Sequence, residues 1–196
     1  ASLVQSAGTG TTRLNGAVDT DAAAGVNIAA GTIVLNSTIT TANSGVVTLA
    51  AGAGGLTIAA AGDISADAAV SLTGAGTVKI STAGDVTTTG DDVTYNSDTT
   101  LTGNVSIGTG TGAGNISFSG KLDGTSAGNQ TLGLTAGTGN VVFTGAVGSG
   151  TRVGAITINS ATDVTAAAVT AASLVQSAGT GTTRLNGAVD TDAAAG

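Results

Sequence analysis

ASLVQSAGTGTTRLNGAVDTDAAAG, from Ala1 to Gly25, returns without a change from Ala172 to Gly196, an offset of 171 residues. Chance does not produce such a return, and a closed domain has no use for ending on its own beginning. The chain therefore reads as one full unit, residues 1–171, followed by the start of the next identical one, residues 172–196. Tandem identity of this kind is the signature of a solenoid or a fibre.

Inside the unit runs a looser period. GVNIAAG, GVVTLAAG, AVSLTGAG, DVTYNSD, NISFSG and NVVFTG are each an alternating apolar stretch followed by turn-forming residues. Alternation at period two is a strand with one face buried. The last apolar residues of these stretches, Val4, Ile28, Leu49, Leu72, Tyr95, Phe118, Phe143 and Val175, follow one another at 21 to 25 residues until a final step of 32. That final step, which contains AITINSATDVTAAAVT, reads either as one wide coil with an extra strand or as two narrow coils.

Two further strands per period place Leu14, Leu35, Ile58, Ile80 and Leu101 on a second inward row. Val18, Ile39, Ile64, Val86 and Val105 form a third. Three short strands per 21–25 residues, with Gly, Asn and Asp at the corners, specify an all-β fold: a parallel β-helix (β-solenoid) of 7–8 coils per unit. At about 4.8 Å per coil the unit is roughly 34 to 38 Å long. Stacking like on like puts Tyr95, Phe118 and Phe143 in one aromatic pile.

Composition agrees. There is no Pro, Cys, Met, Trp or His, and all twelve acidic residues are Asp. Ala apart, the bulk is Gly, Thr, Ser, Val, Ile and Asn, residues of strands and turns more than of helices. One Tyr and two Phe leave the apolar side chains small, which suits a narrow core shared along a length. Pro is missing because nearly every amide of an inner coil must donate to its neighbour. Low charge (9%) and positive mean hydropathy separate the chain from disordered sequences.

A net charge of −7, with only Arg13, Lys79, Lys121, Arg152 and Arg184 basic, excludes a nucleic-acid groove or an anionic-membrane surface, since both need clustered cations. No apolar run is long enough to be inserted in a bilayer. The opening residues carry no charged n-region followed by an apolar stretch, so the leader expected of a secreted parent lies outside this sequence.

The stretch GLTIAAAGDISADAAVSLTGAGTVKISTAGDVTTTG, Gly55 to Gly90, resembles the repeat regions of filamentous-haemagglutinin-like exoproteins and other giant bacterial repeat adhesins. The resemblance is one of pattern, low-complexity alternation with Gly-Asp corners, and covers most of the chain. It implies a right-handed β-helix, secretion, and an extracellular or cell-surface location.

Chemistry-bearing residues are few. β-Helical hydrolases and lyases work with carboxylates, His, Arg or Lys gathered in a groove, and this chain has neither His, Glu nor Cys. Asp85, Asp91, Asp92 and Asp98 are the densest acidic stretch, and corner Asp is the ordinary way to turn a β-coil. That cluster, or Asp19 with Asp21, has the oxygen chemistry of a calcium site, but the GGxGxDxUx repeat of calcium-bound β-rolls is missing. GTGTGAG, Gly108 to Gly114, lacks the Lys and the helix of a phosphate loop and reads as a turn. Thr87 to Thr89, Thr94 and Thr99 to Thr102 raise ice binding, which needs a flat row of one residue type, and they do not recur at one coil position.

The expectation is thus a non-enzymatic chain with no catalytic, cofactor or metal site: a structural extracellular filament or adhesin stalk. Its expected partners are identical repeat units stacked head to tail, other filaments, or host and cell surfaces. A ligand-binding or ice-binding β-solenoid surface is the alternative.

Overall fold

The computed structural model describes residues 1–77 and 79–192; the last four residues of the returning repeat lie outside the described residues. Among the described residues there is no helix, and every strand pairing is parallel. Strands stack into three ladders, the three flanks of a β-solenoid of about eight turns.

The first flank runs Leu3–Gln5, residues 26–30, residues 47–51, Val70–Gly74, Val93–Tyr95, Ile116–Phe118, Val141–Phe143, Val164–Ala166 and Thr183–Leu185. The second runs Thr11–Leu14, residues 32–35, residues 55–58, Ile80–Thr82, Thr99–Leu101 and Leu122–Gly124. It continues through Val147 and Val169 to Val189–Thr191. The third runs Val18–Thr20, Ile39–Thr41, Ile64–Ala66, Val86–Thr88, Val105–Gly108, Leu132–Thr135, residues 156–160 and residues 174–176. In both Val26–Leu35 and Val47–Ile58 the chain passes from the first flank to the second inside one continuous strand.

Alternation does the sorting. Short strands such as Val93–Tyr95 and Val141–Phe143 bury their two outer residues and leave the middle one at the surface. Each flank therefore contributes two inward columns, and the three pairs of columns meet in one continuous apolar core from Val26 to Ala171. Tyr95 and Phe118 stack at 4.7 Å between ring centroids, and Phe118 and Phe143 at 5.3 Å. The aromatic pile expected from spacing alone is present.

Several row assignments need correction. Gln5, not Val4, pairs with Ile28 and continues the inward column; Val4 points out and is 53% exposed. The same holds at the repeat, where Gln176 pairs with Ile158, and Val175 lies outward beside Thr157. Polarity misleads here because the inward amide is satisfied locally: Thr12 Oγ1 donates to Gln5 Oε1 at 2.8 Å, and Thr183 Oγ1 to Gln176 Oε1 at 2.6 Å. Ile80 faces inward but pairs with Leu56, and Thr82 is the residue that continues the column of Ile58 and Leu101. Likewise Ile107 follows Val86, and Val105 starts a further inward column that Leu132 and Ile156 continue. Both slips are by two residues, the one error that alternation cannot detect.

The 32-residue step is neither one wide coil nor two. From Phe143 the chain completes one coil to Ala166, then crosses two flanks to reach Leu174.

Candidate functional site

The carboxylates that composition singles out do not converge. Asp85 stands at the corner entering the third flank, Asp92 at the corner entering the first, and Asp98 at the corner entering the second. Each accepts a hydrogen bond from a main-chain amide one coil further on: Ser106 N–H to Asp85 Oδ1 at 2.7 Å, Asn115 N–H to Asp92 Oδ1 at 2.7 Å, Lys121 N–H to Asp98 Oδ1 at 2.9 Å. Asp91 is held through its main chain, whose carbonyl accepts from Thr88 Oγ1 at 2.5 Å.

These bonds extend into columns. Asp92 is followed by Asn115, Asn140 and Asp163, each side-chain oxygen taking the amide of the next corner, and the last of them receives Thr182 N–H at 2.7 Å. A shorter column links Asp63, Asp85 and Ser106, and Asn104 takes Thr131 N–H at 3.0 Å. A corner amide has no strand partner, and an unpaired buried N–H costs about 1–3 kcal/mol. The Asx columns supply that partner once per coil. Their sequence signal is plain in retrospect: all of these acceptors stand one residue before a strand, as in Asp92-Val93, Asn115-Ile116, Asn140-Val141 and Asp163-Val164.

Lys79 Nζ donates to Asp98 Oδ2 at 2.7 Å, and that contact, with the Lys121 amide, holds the Asp98 carboxyl below its ordinary pKa. A lowered folded pKa stabilises above the unfolded value of about 3.9 and is lost as pH falls through the folded one. Both side chains are well exposed, so the ion pair is worth about 0.5 kcal/mol. Asp98→Asn keeps the acceptor for Lys121 N–H and loses the charge. Urea titrations should therefore show the variant slightly weaker than the parent at pH 7, with the difference shrinking as the pH falls through the lowered folded pKa of Asp98.

Asp19 and Asp21 lie on the exposed first coil, and among the described residues no three acidic side chains gather as metal ligands. GTGTGAG turns from the third flank to the first. Gly110 adopts φ +71°, and buried Thr109 ties the corner by donating to Gly114 O at 2.9 Å. Burial pushes the Tyr95 phenol above its ordinary pKa, with the neighbouring Thr82 hydroxyl opposing; Tyr95 Oη has no hydrogen-bond partner in the core.

No family model, curated protein or solved structure matches the chain.

One surface feature escaped the sequence reading. Among the described residues the outward columns of the three flanks do not hold to a single residue type, but columns of hydroxyls do form: Thr48, Ser71, Thr94 and Ser117 on the first flank, Thr57, Ser81 and Thr100 on the second, Thr40, Ser65 and Thr87 on the third. Treating Ser and Thr as equivalent outward residues would have revealed them. On the first flank the groups bond to one another, Ser117 Oγ donating to Thr94 Oγ1 at 3.3 Å and Asn96 Nδ2 to Ser71 Oγ at 3.0 Å.

Proposed function

We propose that the chain is a segment of a structural rod, an extracellular filament or adhesin stalk of the filamentous-haemagglutinin-like kind, built from tandem β-solenoid units. The observation that carries this reading is the seating of the returning segment. Val164–Ala166 pairs with Thr183–Leu185, and Val169 with Val189, so the second copy continues the ladders of the first without a break. Stiffness comes from the number of main-chain bonds per coil, and length from repetition. Its partners on this reading are further units of the same sequence, then neighbouring filaments or host surfaces.

A chain of two units tests it. Small-angle scattering should give a rod of unchanged cross-section, longer than the single unit by about 37 Å, from the coil spacing of about 4.8 Å. A second globule joined by a flexible connection would refute it.

The hydroxyl columns favour a second reading, a surface that orders water or binds a polar lattice. Thermal hysteresis in the freezing point would support that reading over the stalk. Against it, three of the four first-flank hydroxyls are engaged, Ser117 with Thr94 and Ser71 with Asn96, and Val142 ends their column.

A further inference from the structure

The two copies of the 25-residue segment occupy different flanks. In the first copy Leu3 lies on the first flank, Thr11–Leu14 on the second and Val18–Thr20 on the third. In the second copy Leu174 lies on the third flank beside Ile156, Thr183–Leu185 on the first, and Val189–Thr191 on the second. One unit is therefore seven coils and two flanks, not a whole number of coils. Inward and outward positions are conserved in the shift: Gln5 and Gln176 both face in, and Arg13 and Arg184 both face out.

A charged clamp holds the second copy in this phase. Arg152, in the wide turn after Val147, donates to Ala171 O at 2.7 Å and Asp190 Oδ2 at 2.7 Å, and lies 3.4 Å from Asp192 Oδ2. Those carboxylates are within its reach because Val189–Thr191 is on the second flank. Their counterparts in the first copy, Asp19 and Asp21, belong to the third.

We infer that successive units of the array follow one another a third of a turn out of phase, so that each surface feature is displayed on all three flanks in rotation. This rests on the tandem-rod reading above. The hydroxyl column Thr48–Ser71–Thr94–Ser117 moves from the first flank to the third in the next unit and to the second in the one after. Three units complete twenty-three coils, and only then does the pattern return to its starting flank, roughly 110 Å along the axis at about 4.8 Å per coil. A partner recognising one flank thus meets its site at every third unit along a given side, and the rod offers the same site in three directions. For neighbouring copies of the rod this is a threefold-screw surface, suited to bundling on all sides.

The chain has no cysteine, so disulfide trapping in the full 196 residues reads the phase directly. Thr165 and Arg184 are register partners on the first flank. The pair Thr165→Cys with Arg184→Cys should close under mild oxidation, since neighbouring strands meet the Cα separation a disulfide requires. Thr165→Cys with Val175→Cys is the pair that an in-phase return would bring together, and it should stay reduced. Closure of the Val175 pair, or of neither, overturns the inference. Electron microscopy of a three-unit chain gives an independent reading, in which the dense aromatic wall of Tyr95, Phe118 and Phe143 should step to a new flank from unit to unit. A rod with that wall on one flank throughout overturns the phase shift and leaves the stalk intact. Failure to form a rod overturns the stalk itself.

Discussion

Replacing Phe118 with alanine is expected to lower the unfolding free energy by about 3–5 kcal/mol, at the upper end for a core truncation. Phe118 is 1% exposed and lies between two rings, Tyr95 and Phe143. Truncation removes its own buried surface and both stacking contacts, each worth about 0.5–1.5 kcal/mol beyond area. The cavity cannot collapse easily, because the backbone around it is fixed from both sides. Ser119 N–H donates to Tyr95 O at 2.9 Å, and Thr144 N–H to Phe118 O at 2.9 Å. In a solenoid each coil touches only its neighbours, so the damage should be local. Hydrogen exchange should accelerate most in residues 93–143 and least in residues 26–58. A loss under about 1 kcal/mol in urea unfolding would mean that the ring is not packed as the ladder requires.

The pile around Phe118 also shows why so much of this fold was legible. Tyr95, Phe118 and Phe143 are spaced by one coil each, and parallel in-register stacking turns equal spacing in sequence into contact in space. The same logic located the columns of Ile28, Leu35 and Ile39. It failed where spacing and polarity disagree. Gln5 sits inward because Thr12 satisfies its amide, so a rule that follows the last apolar residue selects Val4 and, one repeat later, Val175. Ile80 and Val105 were placed two residues out of register because both inward columns of a strand look alike in sequence. The fractional coil at the end of the unit could not be read for a different reason. Only main-chain pairing distinguishes a strand that closes a coil from one that begins the next flank, and Val147 makes a single bridge on each side. As for the acidic residues, the corner role assigned to Asp85, Asp92 and Asp98 was visible, but the columns joining them to Asn115, Asn140 and Asp163 were not. They depend on which amide each oxygen meets one coil away.

Corners set a steric limit as strict as that of the core, and Gly25→Val is the substitution that should expose it. Gly25 joins the third flank to the first with φ +50°, a region that a β-branched residue enters only with strain. A Cβ there would run into the main-chain nitrogen and oxygen of Val46 on the coil above. Neither atom can withdraw freely, because Val26 N–H donates to Val46 O at 2.9 Å and Val46 N–H to Ala23 O at 3.4 Å. The backbone strain of about 1–3 kcal/mol adds to an overpacking cost of about 1–3 kcal/mol, so a total loss of roughly 2–6 kcal/mol is expected. Gly16 provides the control: it too lies in the first coil between strands, but a Cβ there meets nothing within 4 Å. Gly16→Val should stay within about 0.5 kcal/mol of the parent, as surface substitutions do. Thermal unfolding of the two variants side by side separates conformation and coil-to-coil contact from any general intolerance of the first coil. Equal losses would show that Gly25 is not held against the coil above. A large loss confined to Gly25→Val would fix the corner as the point where one coil sets the path of the next.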